Sequence, residues 1–299
     1  MKRALFILAL VALSVGGLWT AWYARHRAVT LPAQPQPQTA PVEVRVPFLD
    51  AQPTGLLPDD PVWQEIQSHS VPLLYQVLAI PWGKSDKGPM EVRSFHNGEK
   101  VFVRLEWADP TQDRGGARVE ETPDAAAVMF LLEDTEETSS LMMGFLGRAN
   151  IWHWKANWDT EVWAHYSPSS SPGTADWYPF ETDSTFYPAQ AAGNLRATPM
   201  RASAVEDILS EGPGSITAKQ EQVVQGRGLW LANRWAVVLE RALTTLHADD
   251  FQFRPQRKAQ MALAAWDGSR GEKGSRKSIS EWVWLTLESP PRRLAGGNP

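Results

Sequence analysis

Not one of the 299 residues is a cysteine. That absence removes disulfides, cysteine-ligated zinc, iron–sulfur clusters and covalent c-type haem attachment together. Any redox centre held by this chain alone must draw on His, Met, Lys, Tyr or carboxylate ligands. Basic runs are missing too: 29 Lys and Arg stand against 34 Asp and Glu, a net charge of −5, with no Lys/Arg-rich stretch. Nucleic acid is therefore not an expected partner. There is no internal repeat and little helix signal. No nucleophile elbow, zinc-protease helix or paired-carboxylate segment stands out, so a hydrolase has little support.

The longest apolar run lies at the start. Lys2 and Arg3 precede an uncharged, mostly apolar stretch over residues 4–24, followed by Arg25, His26 and Arg27. At ~1.5 Å per residue such a run spans roughly 30 Å, about a bilayer core. The following "TAWYARHRA" is a poor small-x-small cleavage site, which favours an uncleaved anchor over a signal peptide. Next comes "LPAQPQPQTAP", too polar and proline-rich to pack, and suited to a spacer. The expected organisation is a membrane anchor or signal peptide at 1–28, a Pro/Gln-rich linker at 29–46, a folded domain at 47–290 and a flexible tail at 291–299. Export of the body to the periplasmic side, tethered to the inner membrane, is the default for this arrangement.

The body reads mainly as strands, and the expected fold class is all-β, a β-sandwich with long loops and a few short helices. "EVRSFHNGEKVFVRLEWAD" has two alternating arms around Asn97-Gly98, a strong hairpin signal. "AAAVMFLLE" suits a buried strand over 125–133, and "RGLWLANRWAVVLERAL" a hairpin turning near Ala232-Asn233. "AQMALAAWDG" ends in an Asp-Gly turn, and "SISEWVWLTLE" alternates Trp282, Trp284 and Thr286 against Val283, Leu285 and Leu287. "DDPVWQEIQS" has an aspartate cap with proline in the first turn. "SAVEDILSEG" reads as a short helix ended by Gly212.

The chemistry-bearing stretch is "MMGFLGRANIWHWKANWDTEVWAHY", residues 142–166. A strand over 149–156 places Ile151, His153 and Lys155 on one face and Trp152, Trp154 and Ala156 on the other. Two core strands with methionine filling gaps account for this pattern. So does a pocket that brings thioether, imidazole and amine groups to an aromatic wall.

Six segments in order resemble the haem-binding γ subunits of molybdenum enzymes such as ethylbenzene dehydrogenase, dimethylsulfide dehydrogenase, selenate reductase and chlorate reductase. They are "DDPVWQEIQSHSVPLLYQ", "VRSFHNGEKVFVRLEWADPTQD", "MGFLGRANIWHWKA", "STFYPAQAAGNL", "GRGLWLANRWAVVLERAL" and the closing "ALAAWDG … GSRKSISEWVWLTLE". Together they cover most of residues 57–288. The resemblance implies one non-covalent haem b with methionine and lysine as axial ligands. It points to Met143, directly before Gly144, with Met142 as the fallback. The second ligand lies well downstream in the family, which favours Lys219 in "GSITAKQEQVVQGRG", with Lys155 as runner-up. Asn150, His153 and Trp154 are expected around the cofactor, and Arg148 and Arg241 are candidates for its propionates.

A ligating lysine must be neutral, so burial has to draw its pKa down. With both axial positions filled by protein, no position is open to substrate; the implied role is electron transfer, not catalysis. The implied partners are iron–sulfur and molybdopterin subunits, a cytochrome, and the membrane through the N-terminal anchor. A retained anchor departs from the family's usual soluble, exported form and opens the partner set to a membrane-attached complex. The alternative is a haem-free exported sandwich that binds carbohydrate or serves adhesion through its tryptophan-rich faces.

Overall fold

The computed structural model describes residues 42–75, 80, 87–115, 120–133, 141, 147–164, 201–212, 214–255 and 258–290. All of them belong to a compact unit spanning residues 36–299. The apolar N-terminal run, most of the spacer and the tail lie outside the described residues. Among those described, no helix is long and apolar enough to cross a membrane.

In chain order the strands are β1 (Glu43–Val46), β2 (His69–Val71), β3 (Leu74–Tyr75), β4 (Met90–His96), β5 (Lys100–Ala108), β6 (Ala125–Leu131) and β7 (Ala149–Lys155). After one helix, α1 (Ala156–Ala164), follow β8 (Val205–Gly212), β9 (Ser215–Ala218), β10 (Gln225–Leu231), β11 (Arg234–Ala242), β12 (Lys258–Trp266), β13 (Ser278–Ile279) and β14 (Val283–Leu287). They form two sheets. The larger runs β1-β14-β12-β6-β7-β8-β9, with β13 beside β12 and β3 beside β13; the smaller runs β10-β11-β5-β4-β2. The β1–β14 ladder is parallel, which puts the end of the expected spacer inside the fold and starts the domain at Glu43.

The hairpins form where their turn residues require. Asn97 accepts from the backbone N–H groups of Glu99 and Lys100 at 3.0 and 2.8 Å, and Gly98 takes φ 93°. Ala232 and Asn233 both have positive φ, joining β10 to β11. Asp60 caps a short 3-10 turn at Pro61–Gln64 through the Val62 N–H at 2.9 Å.

Two elements differ from expectation. The stretch read as a short helix is β8, hydrogen-bonded between β7 and β9. Ladders on both sides override the weak helical preference of "VEDILS", and alternation sends Glu206 and Asp207 to opposite faces. In the tryptophan-rich stretch, the strand stops at Lys155 and α1 follows. Buried Asp159 at its first turn fixes the change of direction, accepting from Trp154 Nε1 at 3.2 Å and the Gly228 N–H at 2.7 Å. A Cβ on Gly228 would lie 2.3 Å from the Trp154 ring, so this close approach requires glycine.

The two sheets share one core. Trp107 and Trp235 from the smaller sheet meet Trp152 and Trp154 from the larger, and all four are 0% exposed. Trp154 packs edge-on to Trp235 with ring centroids 5.0 Å apart and to Trp107 at 6.4 Å. The two-sheet sandwich is thus an aromatic core with an edge-to-face geometry that rings favour.

Candidate functional site

Strand β7 divides the chemistry between two faces. Asn150, Trp152 and Trp154 point into the core, while Ile151, His153 and Lys155 lie on the outer face of the larger sheet.

On the inner side, Asn150 organises a polar network at one end of the sandwich. Its Oδ1 accepts from Trp152 Nε1 at 3.2 Å, an Arg241 guanidinium N–H at 3.1 Å and the Phe251 N–H at 3.3 Å. Its Nδ2 donates to Asp207 at 2.6 Å. Asp207 also receives Lys219 Nζ at 3.1 Å, and Lys219 makes a second, close ion pair with Asp250. Asp250 in turn lies 3.6 Å from Arg241 and accepts from the Thr245 hydroxyl at 2.6 Å. Burial pushes Asp207 above the usual carboxylate range against the pull of Lys219 and Asn150. Burial likewise brings Arg241 down to about 10, with the Asp207 charge opposing. Asp207, Asp250, Lys219 and Arg241 pair off here. Charges at this density hold the β7, β8 and β11 ends together.

The outer face is different. Ala125 and Ala127 of β6, Ala264 and Trp266 of β12 and Ile279 of β13 form a buried apolar patch, flanked by Ile151 and Leu141. Three alanines in adjoining strands put small side chains across this face, with Trp266 and Ile279 beside them. His153 packs on Trp266 with ring centroids 4.7 Å apart. Lys277, just before β13, lies over the same indole at 5.4 Å and donates to the Gly274 carbonyl at 3.3 Å. Among the described residues, no carboxylate lies within ion-pair distance of Lys277, and burial pushes its amine below the usual lysine range. Lys155 is also on this face, paired with Glu206 and lying 3.9 Å over the Trp158 ring.

The expected site residues therefore do not converge. Asn150 and Lys219 meet through Asp207 in the inner network; Trp154 is core; His153 and Lys155 are outside. Met143 and Met142 fall outside the described residues. Of the two arginines considered for propionates, Arg241 is consumed by the inner network, and Arg148 pairs at the surface with Glu133 and Asp249. The sequence reading does not single out Lys277, although it opens the "KSISEW" segment that carries the resemblance and also lies well downstream of Met143.

The two sheets define the class, an all-β sandwich with a buried apolar patch on the outer face of its larger sheet. More narrowly, the chain belongs to the ethylbenzene dehydrogenase family, whose pattern matches residues 60–278. It is 24% identical over 252 residues to ORF7 of Haloferax mediterranei, a proposed respiratory nitrate reductase heme subunit, covering 84% of this chain and 75% of that one. It is 24% identical over 260 residues to the dimethylsulfide dehydrogenase γ subunit of Rhodovulum sulfidophilum, covering 81% and 78%. The chlorate reductase γ subunit of Ideonella dechloratans is 21% identical over 234 residues, covering 76% and 78%. Among solved structures, a family 9 carbohydrate-binding module of Caldicellulosiruptor kristjanssonii in complex with glucose covers 85% of this chain and all of its own, at 8% identity. Its TM-score of 0.43 is too low to bear on function.

Proposed function

We propose that this chain is a non-catalytic, haem-binding electron-transfer subunit of a molybdenum/iron–sulfur oxidoreductase, and that its cofactor is a non-covalent haem b. Family membership and relatives that include a proposed heme subunit support the class. The carrying observation in this chain is the buried, alanine-rich apolar patch on the outer face of the larger sheet, with Lys277 over its Trp266 ring. When bound there, haem iron would supply reversible one-electron chemistry.

The residues present fit such a group. Ala125, Ala127 and Ala264 present small apolar side chains beside Trp266 and Ile279, an apolar lining of the kind a porphyrin packs against. His153 is positioned on Trp266 to fix that ring. Lys277 Nζ, with no carboxylate within ion-pair distance among the described residues and its amine pushed down by burial, is the lysine suited to shed its proton and offer a lone pair. Lys219 is committed to ion pairs with Asp207 and Asp250. We therefore assign the lysine ligand to Lys277 in place of Lys219 and keep Met143 as the methionine that would hold the haem; Leu141, two residues earlier in the chain, packs on this same face.

The proposed partners are an iron–sulfur subunit, a molybdopterin subunit and a cytochrome, on the periplasmic side of a membrane to which residues 4–24 tether the chain. The carbohydrate-binding alternative wants exposed aromatic platforms, and among the described residues no tryptophan is exposed. Visible spectroscopy of the haem-replete full chain tests the assignment. Lys277→Met and Met143→Ala should each abolish or shift the six-coordinate low-spin bands. Lys219→Met should leave the bands unchanged while lowering the unfolding temperature. A colourless wild-type protein refutes haem binding; bands that move with Lys219 and not Lys277 refute the ligand assignment.

A further inference from the structure

At the end of the sandwich opposite the Asn150 network, three aspartates converge. Asp109 follows β5 of the smaller sheet, Asp124 precedes β6 and Asp267 follows β12 of the larger. All three are buried, at 1%, 0% and 6% exposure. One carboxylate oxygen from each lies within 4.8 Å of the others. Oxygens bound to one calcium at ~2.3–2.6 Å can be separated by up to about 5 Å, so the cluster has the span of a single coordination sphere.

The contacts of these carboxylates leave the cluster incomplete. Asp124 is satisfied by the N–H groups of Asp113 at 2.7 Å and Gly268 at 2.8 Å and by Trp235 Nε1 at 2.9 Å. Gly268 approaches so closely that a Cβ there would lie 2.0 Å from the Thr122 carbonyl. Asp267 receives Ser269 Oγ at 2.6 Å and Lys87 Nζ at 3.1 Å. Asp109 uses Oδ1 for the weak contacts of Thr111 at 3.3 and 3.4 Å, whereas its Oδ2 is buried with no hydrogen-bond partner. Asp113 Oδ2, next to Asp124, is in the same condition. Lys87 is the cation described beside the cluster, and it is shared with Glu272 at 3.6 Å. A buried, unpartnered carboxylate oxygen beside two further carboxylates calls for a positive charge that the described side chains do not supply.

We propose that Asp109, Asp124 and Asp267 bind a calcium ion that ties the two sheets together at this end of the sandwich. The donors are all hard oxygens, which suit calcium over softer metals. The ion is structural: it clamps the β5 exit of one sheet to the β6 entrance and β12 exit of the other. Two of the three aspartates belong to the "WAD" and "WDG" segments, which are far apart in sequence and meet here.

The test does not involve haem. The full chain is stripped with EDTA, dialysed, and its thermal unfolding followed while CaCl2 or MgCl2 is added at constant ionic strength. Calcium should raise the midpoint saturably, by about 5–10 °C at a hundredfold excess over Kd, and more than magnesium does. Asp109→Asn should lose this response, while its calcium-free midpoint equals or exceeds that of calcium-free wild type, because a neutral amide replaces a carboxylate facing two others. An unchanged wild-type midpoint at millimolar calcium overturns the proposal without recourse to any variant. So does an Asp109→Asn protein that keeps the full calcium shift.

Discussion

Asn150 is the most connected polar side chain of the inner network, and its removal gives a calculable result. In Asn150→Ala, three donors lose their acceptor together: Trp152 Nε1, an Arg241 N–H and the Phe251 N–H. Asp207 loses its 2.6 Å donor as well. All these groups are buried, and each orphaned one costs about 1–3 kcal/mol, less where a water can enter the space left by the amide. With partial relief, a loss of about 3–5 kcal/mol is expected, or roughly 10–15 °C in the unfolding midpoint of a domain this size. Asn150→Asp separates the two halves of the account. Its carboxylate can still accept from the three donors, but it sets an oxygen against Asp207 where the amide N–H had been. That variant should be destabilised at neutral pH and recover as the pH falls and the pair shares a proton. Chemical denaturation at pH 5 and pH 7.5, with a visible spectrum of each haem-replete variant, makes the measurement. Asn150→Ala within about 1 kcal/mol of wild type would refute the network argument. A spectrum altered at unchanged stability would place Asn150 at the cofactor instead.

The three-aspartate cluster sets the pH response of the calcium-free protein. Burial and the neighbouring Asp124 and Asp267 carboxylates push Asp109 up to about 7, and burial pushes Asp124 to about 6. Groups raised in the folded state stabilise it below their unfolded values, and that stability is lost as the pH rises through the folded ones. From Asp109 alone this amounts to about 4 kcal/mol between pH 4 and pH 8. Glu106 acts oppositely: burial raises it, but Arg104 and Arg234 together hold it below the usual range, so its contribution is lost toward acid. EDTA-treated protein should therefore be more stable near pH 5 than at pH 7.5 by urea denaturation, and rising stability over that interval would refute the reading. Gly228→Ala should cost at least 2–3 kcal/mol, because its methyl group collides with the buried Trp154 ring; thermal unfolding decides, and a neutral effect would show that the ring can retreat.

Much of the fold was legible because its signals are local. Asn97-Gly98 and Ala232-Asn233 mark their hairpins by turn chemistry, and alternation in "VWLTL" places Val283, Leu285 and Leu287 inward, each no more than 3% exposed. What failed was nonlocal. "SAVEDILSEG" carries acidic and aliphatic residues that suit a helix in isolation, and only the ladders to β7 and β9 make it a strand. The parallel pairing of β1 with β14 joins residues some 240 apart in the chain, a contact that no local pattern encodes. The turn from β7 into α1 depends on Asp159 reaching Gly228 on another strand.

The site follows the same logic, and the lysines show why. Lys219 and Lys277 both lie downstream of Met143, and nothing in their immediate neighbours distinguishes a ligand from a structural cation. The difference arises from what folding brings to each. Asp250 reaches Lys219 from 31 residues away and Asp207 from 12, and both accept from it. Among the described residues, Lys277 meets the Gly274 carbonyl and the Trp266 ring, and burial pushes its amine below the usual lysine range. Outer-face burial was equally hidden, since alanines at 125, 127 and 264 read as core filler in any buried strand. Alternation helps here after the fact: Ala126 and Ala265 face the core between the sheets, so their neighbours Ala125, Ala127 and Ala264 must face away from it, yet they are at most 8% exposed. A strand buried on both faces in a two-sheet sandwich has further chain packed over its outer side. Substituting Ala127→Leu probes that surface directly. It should reduce haem occupancy severalfold while leaving the inter-sheet core unchanged, because the added isobutyl group projects from the floor of the patch and not toward Trp152. Full haem occupancy with unchanged absorption bands in this variant would refute the placement of the cofactor on the outer face.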